Sequence, residues 1–532
     1  MARNSCNKPY SARPTNLCRS LYGTAPVAAG QPSPASPNPE PSRPTGASPT
    51  GKSPPPIATT AARLFFPQSK SLSIDQGSTS PTLLKKIVYA GSNGPAFKRG
   101  SIDLRVLAEV SVDPKRVERL TEQIGQERLA ERDTLVAAYL ERPLAQREDP
   151  PAGVTAPQLA VVEMDGGRLQ IRKPDEQSRE PEPVAPEVGN PSVQEPLRPT
   201  TPPGTDEASV ATATPSGSDE ASEHVAKSKH WREDKVGCLL VMKSEVRDVD
   251  PCPEIPAVFV DPLQSLKLAQ QIGQCAVPQG TPFRVAQPED DEATDAEQRD
   301  EPSKRPGRPE VEKKRVVASR KDVHHFGPLL AATACAMGLY AAARRAFVAD
   351  GLSENWSIYK RYFARWTAVL DFVHALTYVY AAAMAGRIFA EGWPVYERWI
   401  RWVWAGLANH VIEELRARQQ EVGRATKEDK EGSPRRVVQD ALTYLSNHKD
   451  KMRYDEYRKA GLPLMSSHVE STVKQINYRV KGTEKFWTEE GAEAILQLRA
   501  DYLSDDEPMK DFWQRRQEAA TGQRRYRSRC SA

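Results

Sequence analysis

Three acids stand where the surrounding residues could put a carboxylate to chemical use. Asp165 closes the apolar run at the start of LAVVEMDGGRLQIR, residues 159–172. Asp350 closes RRAFVAD and is followed by Gly351. Glu470 lies in GLPLMSSHVESTVKQINY, just beyond Ser466 and Ser467, either of which can cap a helix. An acid at the tip of a buried strand has a rigid base and a solvated mouth, which suits the holding of a divalent cation. Read alone, Asp165 is more readily an ordinary turn residue, since Asp-Gly is a common turn pair, and it is the two later acids that shift the balance. Three carboxylates gathered without a cation repel one another and take up protons. Oxygen-only ligands suit magnesium, with manganese able to substitute, rather than zinc. Such a site can activate a water or a 3′-hydroxyl and stabilise the leaving oxygen of a phosphodiester.

The elements that must position these acids are read from apolar periodicity. Gly166 and Gly167 predict a two-residue hairpin, with Leu169 and Ile171 alternating in a returning strand. His230–Lys243 and Val316–Ala318 read as further strands, and Asp322–Ala343 as a buried Ala/Leu-rich helix. The uncharged stretch Gly327–Ala343 has 17 residues, at the lower limit of the about 20 that cross a bilayer. From residue 344 the order is strand, helix (Leu352–Phe363), strand (Ala368–Phe372) and a helix opening at His374, which favours parallel pairing. Trp356 and Tyr359 read as core. Gln439–Tyr457 and Glu489–Tyr502 read as helices, and Glu470 and Lys474, four apart, share a helix face.

Upstream, Ser80-Pro81 predicts a capped helix over Ser80–Tyr89. Ile102–Gln126 reads as two short helices, with Leu104, Val106, Leu107 and Val110 on the apolar face of the first and Asp113-Pro114 restarting the second. A Glu- and Arg-rich helix follows from about Glu127 to Arg147. This outline fits a helix-turn-helix, with Lys115, Arg116 and Arg119 near the start of the second helix where nucleic-acid contacts are made. It fits a plain helical hairpin equally.

The chain has 532 residues, with 74 basic against 70 acidic side chains and a net charge of +4, which excludes a histone-like global field. Its 46 prolines crowd into residues 1–60, 174–229 and 250–312, which read as disordered tail and low-complexity insertions. Seven scattered cysteines show neither zinc-site spacing nor a disulfide framework, so a reducing compartment is expected.

The run MDGGRLQIR, then FVADGLSENW with VLDFVHALTYVYAAA, then YRKAGLP followed by SSHVES and a Lys-Gly, resembles the DDE transposases of bacterial insertion sequences. The resemblance spans roughly residues 80 to 510 outside the low-complexity segments. It implies an α/β fold: an RNase H-like mixed sheet flanked by helices over 157–510, with an all-helical insertion at 392–459 before the last catalytic acid. An N-terminal helical DNA-binding region at 61–150 and a basic tail at 511–532 complete the expected organisation. By the same resemblance Asp165, Asp350 and Glu470 are the metal-binding catalytic triad. His374, in a DFxH pattern, and Lys474 are auxiliary, and His374 reads equally as a structural hydrogen-bonding group. Asp371 reads as structural, with a fourth metal ligand as the alternative. Arg479 and Lys481 read either as phosphate contacts or as a solvated face. Relatives often carry a GSG-type turn before VES, where this chain has Met465-Ser466-Ser467-His468. The implied activity is magnesium-dependent cleavage of DNA at element ends and strand transfer into target DNA. It would be carried out by a homo-oligomer in the bacterial cytoplasm, at the nucleoid when bound to DNA, with no membrane role. The alternative is an inactive or domesticated DNA-binding relative.

Overall fold

The apolar run before Asp165 does form a strand, but that strand does not turn at the glycines. The computed structural model describes residues 64–65, 79–172, 230–273, 275–283, 308–482, 484–519 and 523–524. The expectations for 1–60, for 174–229 and for 284–307 of the second insertion lie outside them. Six strands make one sheet: β1 (Leu159–Ile171), β2 (Trp231–Lys243), β3 (Glu310–Ser319), β4 (Arg344–Ala349), β5 (Thr367–Leu370) and β6 (Phe486–Trp487). The path is β3-β2-β1-β4-β5, with β6 pairing the far end of β1. The β3-β2-β1 pairs are antiparallel, whereas β4, β5 and β6 pair in parallel.

The predicted hairpin is therefore corrected. β1 runs straight through Gly166 and Gly167, which face Lys235 and Asp234 of β2, and neither glycine takes a positive φ. Gly167 is needed for close approach instead. A Cβ there would lie 2.9 Å from both Asp234 carboxyl oxygens and 3.1 Å from Asn477 Oδ1.

The helices are α1 (Pro81–Asn93), α2 (Phe97–Leu107), α3 (Pro114–Glu141), α4 (Pro262–Gly273), α5 (Val323–Ala336), α6 (Ser353–Tyr362), α7 (Phe372–Met384), α8 (Phe389–Trp404), α9 (Ala408–Val422), α10 (Pro434–His448), α11 (Tyr454–Lys459), α12 (Ser467–Val480), α13 (Glu489–Tyr502) and α14 (Pro508–Glu518). The protein is thus a mixed α/β structure whose mixed sheet is flanked by helices. Period-2 alternation sorts the β1 and β2 side chains between two layers. Gly237 faces α5, where Leu330 and Phe326 fill the space a Cβ would take. Its neighbour Cys238 faces α12 and meets Thr472 Oγ1 at 3.3 Å. Among the described residues no helix is long and apolar enough to cross a membrane. The helix expected over Asp322–Ala343 ends earlier: α5, capped by the Asp322 side chain, which accepts from the His325 amide, stops at Ala336, and Gly338 at positive φ leads into a short 3-10 turn over Leu339–Ala341.

Four further expectations change. The short helices expected at Asp113–Arg147 are mostly one 28-residue helix, α3. Val106 and Leu107, expected on an apolar face, are 66% and 83% exposed. Part of the second expected insertion is ordered, because Leu266 and Ala269 of α4 bury against the core. The expected basic tail begins inside α14, whose Phe512 and Trp513 are buried.

The N-terminal helices share the body of the sheet because α3 lies along α13. Their interface is ionic as well as apolar. Arg128, 8% exposed, gives Nε to Asp501 at 2.9 Å and Nη2 to the other carboxyl oxygen at 3.2 Å. Arg132 reaches Glu493 at 3.0 Å. Removing one member of such a pair leaves the other charge buried and alone. Arg128→Ala is expected to cost about 3–5 kcal/mol of unfolding free energy, read as a lowered urea midpoint. A midpoint unchanged from wild type would show that this interface does not hold the fold.

Candidate active site

The geometry of the site begins with the register of two parallel strands. Met164 of β1 pairs with Ala349 of β4, so the next residues, Asp165 within β1 and Asp350 just past the end of β4, stand side by side. β4 stops there because Asp350 turns its carboxylate back on the chain. Its Oδ1 accepts from the Leu352 amide at 3.0 Å and from Asn355 Nδ2 at 2.8 Å, which starts α6. Trp356 Nε1 donates to the Asp350 carbonyl at 2.8 Å, so this indole is core with a tethered edge, as expected of it. Any side chain on Gly351 would collide with the Tyr444 ring of α10. Asp165 Oδ1 accepts from the Gly166 amide at 2.7 Å.

Glu470 arrives from across the sheet on the first turn of α12, and two fully buried carboxylates hold that turn. Glu163, two residues before Asp165 on the same face of β1, accepts from the Val469 amide and from His468 Nδ1, both at 2.9 Å. It is a charge at a helix N-terminus, favoured by the free amides and the helix dipole. Asp371, at the end of β5, caps α7 by accepting from the Val373 and His374 amides at 2.7 and 3.0 Å. Its other oxygen accepts from the Ser466 amide and hydroxyl at 2.6 and 2.7 Å. The structural role expected of Asp371 is what its contacts show. Glu163 was not expected to matter, although a charge inside the apolar run VVEM was the available signal. His468 is the side chain that Glu163 engages.

His374 Nδ1 sits 3.3 Å from Asp371 Oδ1 as an ion pair. Burial disfavours its charge, but hydrogen bonding and attraction to Asp371, with Asp350 and Asp165 beyond, outweigh burial and push its pKa up to about 9. The Asp371 carboxyl is disfavoured by burial, yet His374 and the Ser466 donors hold it below the usual range. The three other acids go the opposite way. Burial raises Asp165 and Asp350, and in each the nearby carboxylates add to it. Burial, with the charges of Asp371 and Asp165, pushes Glu470 up to about 7 against the relief given by His374 and Lys474.

Ligand atoms of Asp371, His374 and Glu470 fall within 4.8 Å of one another, a spacing that could hold a metal ion. Both Asp371 oxygens already accept hydrogen bonds, however, and the imidazolium supplies the positive charge. Asp165, Asp350 and Glu470 carry raised carboxyls and so an unmet demand for positive charge, but among the described residues only Asp371, His374 and Glu470 meet that spacing.

The predicted auxiliary and DNA-contacting residues divide. Lys474 is exposed on α12, one turn from Glu470. Lys115, Arg116 and Arg119 are exposed at the start of α3, where Lys115 pairs with Glu118 at 3.0 Å and Arg116 donates to Thr79 at 2.9 Å. Lys481 is exposed just after α12. Arg479 is corrected: only 1% exposed, its guanidinium lies between the Phe97 and Trp487 rings at 4.4 and 4.8 Å and donates to the Gly91 carbonyl at 3.0 Å. It ties α12 to α1, and no nucleic acid can reach it in this fold. Sequence reading also missed Asp234, which is fully buried beneath Gly167 and pushed by burial up to about 7.

No family model, curated protein or solved structure matches this chain.

Two outcomes follow from this geometry. Glu163→Ala leaves the Val469 amide and His468 without their acceptor, at a cost of about 1–3 kcal/mol. The Val469 amide should then exchange hydrogen faster than amides in the middle of α12, whereas uniform exchange along the helix would mean that Glu163 does not hold its first turn. The raised Glu470 pKa makes the cation-free folded state bind a proton that the unfolded chain has released above about 4.5. Its contribution to stability is full below that pH and is lost as pH rises through about 7. In EDTA, the fall in unfolding free energy over that window should be shallower in Glu470→Gln, and equal slopes would contradict the assignment.

Proposed function

We propose that this chain is a metal-dependent transposase of the DDE class, with an RNase H-like catalytic core, that cleaves DNA at the ends of a mobile element and joins the freed strand to target DNA. The observation that carries the reading is that Asp165 and Asp350 stand beside each other on adjacent parallel strands, with His374 close enough to feel both charges and Glu470 close enough to feel Asp165. The sheet path supports it: three antiparallel strands, then parallel neighbours, with the first acid on the central strand and the second at the end of the strand beside it. The helices from Phe389 to Lys459 stand where the resemblance expects an insertion before the third acid.

In this reading Asp165, Asp350 and Glu470 hold magnesium, or manganese in its place, which when bound supplies an activated oxygen nucleophile and offsets charge at the phosphate. The residues of the chain do the positioning. Asn355 and the Leu352 amide fix one oxygen of Asp350, leaving the other to turn toward the site. Glu163 and Asp371 set the depth of α12 and so the reach of Glu470. The His374 imidazolium keeps Asp371 compensated, so that the acid cluster carries one positive charge before any cation binds. In the hydrolytic step a water oxygen bonds to phosphorus and the 3′-oxygen leaves with a proton. In the joining step that 3′-hydroxyl takes the place of water. Lys115, Arg116, Arg119 and Lys481 are exposed cations suited to phosphate contacts. A homo-oligomer acting at the bacterial nucleoid accords with this reading.

The test is nicking and joining of a supercoiled plasmid that carries the sequences flanking the gene, with magnesium, in wild type, Asp350→Asn and Glu470→Gln. Wild type should cut, and each variant should lose at least about a thousandfold in rate, as when a charge-stabilising group is removed from an active site. Cutting that survives in both variants would refute the triad. Specific binding of the ends by wild type without cutting would leave a DNA-binding relative.

A further inference from the structure

Asp234 lies inside the fold and plays no part in the arrangement of the acids described so far. It is fully buried, and among the described residues neither of its carboxyl oxygens has a hydrogen-bond partner beyond its own residue. Burial without a donor is costly for a carboxyl group and far more so for a carboxylate. Asp234 pairs with Gly167, and alternation along β2 turns it to the face where Cys238 meets Thr472 of α12. Both Asp234 oxygens stand 2.9 Å, and Asn477 Oδ1 3.1 Å, from the point where a Gly167 Cβ would be. Asn477 is on the third turn of α12, and its Oδ1 is also enclosed without a partner.

Two acceptors that share one space need a positive group between them. A metal ion fits poorly. Calcium takes about 6–8 oxygen ligands and magnesium keeps several waters, whereas three oxygens from two side chains meet in this enclosed space. A proton needs only one oxygen on each side. The surrounding charges favour it. Asp165, on the same face of β1, repels a negative Asp234, while Glu163 beyond it is already bonded to the first turn of α12. Glu233 adds to the repulsion against the relief of Lys235, although alternation sends both to the other face of the sheet. On α12, Glu470 lies two turns before Asn477 and Lys474 is exposed. Burial, the largest influence, acts with these acids to push the Asp234 carboxyl up to about 7.

We propose that Asp234 is a neutral carboxylic acid that donates its proton to Asn477 Oδ1, a latch that fastens the far end of α12 to β1 and β2 and opens when the proton leaves. Opening releases one proton to solvent and leaves a carboxylate facing an amide oxygen. Glu163 and Asp371 hold the near end of the same helix, so α12 is gripped at both ends only while Asp234 is neutral. The folded form holds a proton that the open form has given up. The stabilising effect is therefore full below the ordinary carboxyl value of 3.8 and is lost as pH rises through about 7. The latch does not depend on the DNA reading of the acid site.

The experiment reads hydrogen exchange in the full chain, in EDTA and in a Glu470→Gln background, so that Glu470 does not titrate in the same window. His374, raised to about 9, keeps its charge throughout. Amides of residues 474–480 are compared at about pH 6 and about pH 8 after correction for their intrinsic rates. Their protection should fall about tenfold over that interval, the loss expected of one group that titrates near 7 when folded. Asp234→Asn puts a permanent N–H donor beside Asn477 and should keep the lower-pH protection at both values. Asn477→Ala removes the acceptor and should lower protection at about pH 6 severalfold, with thermal melting confirming that each variant folds. Equal protection of the parent at both values would overturn the latch, showing an ionised Asp234 that takes its donor from an Asn477 turned about to present Nδ2. A fall that persists in Asp234→Asn, or an Asn477→Ala chain as protected as its parent, would overturn it too.

Discussion

Two carboxylates with no access to water set the position of a third. Glu163 and Asp371 come from different strands, and each accepts bonds from the chain around the start of α12. A buried charge of this kind is tolerable only when its lone pairs are taken up, and these are. The amides at the start of a helix need acceptors in any case. Each requirement satisfies the other, and the product is a helix whose first turn cannot slide relative to β1 and β5. Glu470 lies on that turn.

The same region shows how charge is divided among five acids and one imidazole. Asp371 is held as an anion by His374 and the Ser466 donors, and both oxygens of Glu163 are taken up by donors at the start of α12. Asp165, Asp350 and Glu470 receive less help, and burial raises all three. His374 is the counter-charge that lets Asp371 remain ionised beside them. One group of acids is therefore satisfied by the protein, and the other is left with unmet demand for positive charge. That division separates the residues that build the site from those available to a cation, although all crowd into one place.

Much of this was legible in the chain. The positions of β1, β4 and β5 followed from apolar runs, and Asp350 was read as an acid at a strand end, whereas the strand carrying Asp165 runs on to Ile171. The Ser80 and Asp113 caps followed from Ser-Pro and Asp-Pro. What failed did so for identifiable reasons. Gly166-Gly167 has the composition of a turn, and only the proximity of Asp234 and Asn477 explains why a strand needs glycine there. Arg479 carries a full charge and sits on a polar-looking helix, yet Phe97 and Trp487, remote in sequence from one another, enclose it. α4 lies in a stretch rich in proline and charge, and its burial depends on α7, a contact that no local pattern encodes. Glu163 was visible only as a misfit in an apolar run. Long-range partners decided every one of these cases.

The buried arginines of α3 have a further meaning for how the protein comes into being. Arg128 finds its carboxylate 373 positions later, on one of the last helices of the chain. During synthesis the early helices emerge with cations and apolar faces whose partners do not yet exist. Contacts of such sequence separation form late and slowly. The acids of the site are separated in the same way, so no fragment ending before α12 can assemble them. The chain gains its proposed capacity to cut only when nearly all of it has left the ribosome, which makes completeness of translation a condition for reactivity.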